Sequence, residues 1–217
     1  RRRVREGLQL VGKGILPRLI DAGVDVAPVV TSDTPTLSNG HHVRDMALHF
    51  LRPPEARQAM GGIVDKGRGL ASAVQDPAPW SKHLTLSLVV SLGGVEVGLV
   101  LPAGAWPDRD NGAAVLQDPE TAVGLQAAVA GLGEMWWLGE DPMRAVRRWP
   151  RGHADLGDAS FVDRASEALA AAAAVYRVVA WSEANDRIDL TRRIGDEAEA
   201  ARLRAARAER VPRSDVA

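Results

Sequence analysis

At 217 residues the chain is long enough for one sizeable domain; 46% of its side chains are apolar and only 4% aromatic, so its core must be built mainly from Leu, Val and Ala. Its 27 basic and 28 acidic residues leave a formal net charge of -1, which excludes a global field that would steer nucleic acid or an anionic membrane. The absence of cysteine excludes disulfides, thiolate nucleophiles and Cys-ligated metals, and fits a reducing cytoplasm.

Val4, Leu8, Val11, Ile15 and Leu19 recur every three to four residues and predict a first helix over 4–22, kinked or divided at Pro17. Its basic start lacks a small-residue cleavage site and is not read as a signal peptide. Residues 24–30 read as an extended run and 31–40 as a loop. Ser38 or Asn39 would cap a helix over 40–51, ended by Arg52-Pro53-Pro54. A further helix from Glu55 to about Val74 is weakened by four glycines, Gly61, Gly62, Gly67 and Gly69.

A hairpin is the sharpest local signal. Leu84, Leu86, Leu88 and Val90 alternate with Thr85, Ser87 and Val89; Val95, Val97, Leu99 and Leu101 alternate with Glu96, Gly98 and Val100. A type I′ turn at Gly93-Gly94 would pair Leu92 with Val95, Val90 with Val97, Leu88 with Leu99 and Leu86 with Leu101. A lone hairpin is marginal, so another strand is expected from 136–138 or 24–30. Residues 106–111 read as a polar loop and 119–132 as a helix. Asp141-Pro142 would open a short helix through Trp149, and the longest helix would run from Asp158 or Ser160 to near Asn185. Residues 196–210 form a charged helix with Leu203 nearly alone to bury. The reading is therefore α+β: a small antiparallel sheet centred on the hairpin and packed by several helices, in one domain over 1–190 with a charged helical C-terminal extension over 191–217. The apolar fragment 87–101 is broken by Gly93, Gly94 and Glu96, so no membrane span or membrane partner is expected.

Four constellations are candidates for chemistry. On the expected helix, His42, Asp45 and His49 share a face, and His41 reaches Asp45. With Glu96 or His83 from outside they would suit a divalent metal or a general base. The plainer reading is helix-end electrostatics for His41 and Asp45 and a packed His49, and no metal is assigned. Glu96 shares the second hairpin face with Thr85 and Ser87, a face that is either solvated or part of a cleft. Asp108, Arg109 and Asp110 form a compact polar set fit for a carboxylate, a phosphate or a base edge. Arginines cluster at the start, at Arg144, Arg147, Arg148 and Arg151 around Trp149, and along the final helix. If these converged they would suit phosphates with one stacking indole.

The segments HHVRDMALHFLRPPEA, KHLTLSLVV and GGVEVGLVLP resemble the uncharacterised YktB-like family and its distant relatives of unknown function, at His42, His49, Pro53, Pro54 and His83. The resemblance implies a single α+β domain with a His-containing helix before a Pro-Pro turn, and implies no activity. The chain departs from it at the aromatics flanking the strands, where it has Leu and Val. Three functions remain open: binding of a small-molecule or protein partner in a cleft among the 41–50 helix, the hairpin and 106–111; a metal-assisted hydrolase using His42, Asp45, His49 and Glu96; or a nucleic-acid accessory protein using Arg144, Arg147, Arg148 and Trp149. No cofactor is specified.

Overall fold

The computed structural model describes residues 1–34, 42–64, 78–132, 137–140 and 143–210. Its centre is a six-stranded antiparallel sheet in the order β1-β2-β3-β4-β6-β5: β1 (Ala27–Val30), β2 (Asp45–Leu51), β3 (Thr85–Ser91), β4 (Gly94–Leu101), β5 (Trp137–Glu140) and β6 (Met143–Pro150). Among the described residues six α-helices accompany it: α1 (Arg2–Asp21), α2 (Pro54–Val64), α3 (Trp106–Gln117), α4 (Pro119–Ala130), α5 (Phe161–Val179) and α6 (Leu190–Arg210). The fold is thus α+β, and both 24–30 and 137–140 supply strands beyond the hairpin.

One face of the sheet carries the core. Met46, Leu48 and Phe50 of β2, Leu86 and Leu88 of β3, and Val97 and Leu99 of β4 are buried against α1 and α5. Alternation at period two puts them all on that side. Burying a side chain such as Phe50 in full stabilises the fold by about 1.5–3 kcal/mol. Ala165, Ala168, Ala172 and Ala173 of α5 are buried too, and their small side chains let this helix lie close to the strands. Gly12 does the same for α1, since a Cβ there would stand 3.2 Å from Leu48.

Two expected helices are strands. Residues 45–51 form β2, and six of these seven residues are buried. α1 covers one face of β2 and Trp80, stacked on His49, lies on the other, so apolar residues occupy both faces and satisfy helical and strand periods alike. Residues 143–150 form β6, paired with β4 along its whole length. The expected loop 106–111 is instead the first turns of α3, with Pro107 at its start and Asp108 in its first turn. α5 ends at Val179, because Ala180 is extended, and α6 begins at Leu190. The predicted continuation of α2 to Val74 and the interaction of His41 lie outside the described residues.

The hairpin forms, with its faces as predicted and its turn moved. The observed pairs are Val90 with Val95, Leu88 with Val97 and Leu86 with Leu99, so Leu92-Gly93 makes the loop and Ser91 faces Gly94. The shift is two residues, which preserves the side each residue faces. The positive φ falls at Gly94 (+138°), and a Cβ there would lie 2.1 Å from the Trp149 carbonyl oxygen. Close approach to β6, more than turn geometry, requires the glycine.

Candidate ligand cleft beyond the end of β2

β2 ends on Leu51, and the next residue, Arg52, turns into the protein instead of into water. Its guanidinium pairs with Asp108 and donates to the Trp181 carbonyl at 3.2 Å. Asp108 has no exposed surface; besides Arg52 it accepts from the Leu84 amide at 2.7 Å and the Trp181 amide at 2.9 Å. A buried charge pair is tolerable only when its remaining hydrogen-bonding capacity is met, as here. The Arg52 guanidinium also lies 5.9 Å from the Trp181 ring centroid.

Above this pair opens a recess of about 390 Å³. Pro53 and Ala56 form one wall, Tyr176 and Trp181 another, and Thr191 and Ile194 of α6 close a third side. Burial pushes the Tyr176 phenol up, with Arg52 working against it, so the hydroxyl stays neutral. Arg177, Asp25 and Glu183 are exposed at the mouth. No acidic partner holds the Arg177 side chain among the described residues. The α6 wall is anchored by Asp186, which accepts from the amides of Ile188 (3.2 Å), Leu190 (2.9 Å) and Thr191 (2.6 Å). Partial burial works to raise the Asp186 carboxyl, but the Thr191 and Leu190 amides hold it well below the usual carboxylate range. Leu190 then buries against Met60 and Trp181.

The second face of the sheet is dry at one end and ionic at the other. His49 Nδ1 lies 2.8 Å from the Ser87 hydroxyl, which lies 2.8 Å from Thr85; Thr85 donates to the Val100 carbonyl at 3.4 Å. All three side chains are buried, and Trp80 stacks on the imidazole at 5.3 Å between centroids. Burial lowers His49 to about 4, so the ring is neutral at pH 7. Because the chain of hydroxyls ends on a carbonyl, His49 donates to Ser87 and Ser87 to Thr85. A serine activated by a base needs the opposite direction. At the other end Glu96 accepts from Arg144 at 3.0 Å and pairs with Arg148 at 2.9 Å, all three partly exposed.

The remaining predicted residues do not converge. His42 is exposed ahead of β2 and Asp45 at its first position, whereas His49 is buried and Glu96 lies two strands away. Among the described residues no three His, Asp or Glu side chains are grouped to hold a metal. Of the polar triplet, Asp108 is the buried hub, Asp110 is exposed, and Arg109 reaches the Ala103 carbonyl at 3.3 Å. Arg147 lies over Trp149 on the helix-covered side, 5.0 Å to the centroid, while Arg144 and Arg148 are on the opposite face; the β6 arginines therefore do not form one surface. Sequence reasoning missed Arg52, Tyr176, Arg177 and Trp181. The signal for Arg52 was its place directly after an apolar run and before Pro53-Pro54. No helix among the described residues is long and apolar enough to cross a membrane. The chain matches no family model, no curated protein and no solved structure.

Proposed function

We propose that this protein is a binding module that takes a small zwitterion with an apolar body, of amino-acid size, into the recess beyond β2. The observation that carries this reading is a largely apolar cavity of about 390 Å³ built over a locked ion pair. Its volume suits a small ligand. Asp108 already neutralises Arg52, so charge recognition falls to the rim, where Arg177 faces a carboxylate and Asp25 and Glu183 face an amine. The apolar body lies against Tyr176, Ala56 and Ile194.

Thermal unfolding in the presence of free amino acids tests this. Leucine or phenylalanine is expected to raise the Tm, with a stabilisation of about 2.7 kcal/mol at a hundredfold excess over Kd. N-acetylation or esterification of the same amino acid abolishes the shift. Ala56→Trp, which fills the recess from an exposed position on α2, abolishes it as well. A shift of equal size in that variant, or no shift with any amino acid at millimolar concentration, sinks the reading.

A further inference from the structure

A second recess, of about 490 Å³, runs between α1 and the edge strand β1. Arg5, Gln9, Lys13 and Leu16 line it from one stripe of the helix, and Pro28 and Val30 line it from the strand. The backbone parity of β1 follows from one hydrogen bond. The Thr31 amide donates to the Ala47 carbonyl at 2.9 Å, so in an antiparallel ladder Thr31, Val29 and Ala27 turn their polar groups toward β2. Pro28 and Val30 turn theirs outward, to the open edge. The N–H that proline lacks is therefore one that no ladder bond needs. Among the described residues nothing takes the Pro28 carbonyl or the N–H and carbonyl of Val30.

From this we infer that the α1–β1 groove accepts an extended acidic segment of a partner protein as a seventh strand. Three backbone hydrogen bonds are available to such a strand. Its helix-side carboxylates meet Lys13, which has no acidic partner among the described residues, and Arg5, whose present partner is Asp33 at 3.0 Å. A second copy of this chain fits the edge poorly. Pairing β1 with itself about a two-fold axis would turn the basic stripe toward its own counterpart, and like charges so placed oppose association.

An acetylated, amidated Glu-Val-Glu-Val-Glu peptide with a fluorescent label is the probe, read by anisotropy. It is expected to bind, more weakly as salt rises, while the Lys-Val-Lys-Val-Lys counterpart does not. Lys13→Glu weakens binding at least about fivefold. Val30→Pro removes a single outward N–H and does the same. N-methylation of the probe backbone leaves the protein untouched, so it separates loss of strand pairing from misfolding; it too should weaken binding. Ala56→Trp, in the other recess, leaves binding unchanged. Equal binding of the basic probe overturns the inference, as does indifference to Lys13→Glu or to N-methylation, or no binding at millimolar concentration. Sedimentation as a dimer that Val30→Pro dissociates would assign the edge to a second copy instead.

Discussion

His49 shows how one side chain's surroundings decide its chemistry. Taken from a helix it looks like a ligand; on β2 it is an imidazole under Trp80, holding the Ser87 hydroxyl. Its pKa falls to about 4 in the folded protein from an ordinary 6.5, because burial disfavours the cation. Between those values the unfolded chain binds more protons than the folded one, so protonation favours unfolding. The His49 contribution is complete above about pH 6.5 and declines as the pH falls toward 4, by roughly 3 kcal/mol in all. Urea denaturation across this window should show that decline in the native protein and a flatter profile in His49→Gln; parallel profiles would contradict it. Asp108 and Asp110 make the complementary point. They stand two residues apart in one polar run, yet the first is wholly buried and the second exposed. The difference is made by Arg52 and the Leu84 and Trp181 amides, all remote in sequence, and no local pattern carries it.

Elements whose polar and apolar residues repeat at one clear period were legible; those whose pattern fits two periods or is masked by charge were not. The hairpin strands and α1 have residue patterns that only one period fits, whereas α4 was legible from its Asp118-Pro119-Glu120 start. β2 was misread because α1 covers one of its faces and Trp80 lies on the other, so apolar residues occupy both. β6 was misread because arginine on both faces hides the alternation of Ala145 and Trp149, and Asp141-Pro142 imitates a helix start. The turn was misplaced for a different reason: two adjacent glycines suggested a loop, but Gly94 is a glycine because Trp149 lies against it. The contrast between neighbours is measurable. Gly93→Ala should change stability little, since its nearest atom is the Ser91 hydroxyl at 3.6 Å. Gly94→Ala must displace the β6 backbone and adopt an unfavourable φ, at a cost of about 2 kcal/mol or more. Chemical denaturation that ranks the two variants equally would disprove this account of the register.

The whole molecule converges on one carboxylate. Asp108, on α3, is held by Arg52 beyond β2, by the chain entering β3 and by the chain leaving α5. Removing it strands a buried guanidinium and two buried amides. Asp108→Ala should therefore destabilise the fold by about 3–5 kcal/mol, and the transition should remain a single step if these elements fold together. A loss within about 0.5 kcal/mol would show that the pair is peripheral to stability. The recess was not legible in the sequence, which pointed to a cleft among 41–50, the hairpin and 106–111; its lining comes instead from residues 23–25, Arg52 and Pro53, α2, α5 and α6.

The strand order holds one further consequence. β1 to β4 follow one another in order across the sheet, and β5 and β6 form a hairpin of their own; the β2–β3 and β4–β6 pairings join parts distant in sequence, the second across the wider gap. The β4–β6 seam brings Leu101 against Met143, with α3, α4 and β5 between them in the chain. Local pairings form early because they close short loops, whereas the seam bears the larger closure entropy and gains its contacts late. The tempo of folding is thereby concentrated in these two joints, and Gly94 and Pro150 face each other at the end of the second.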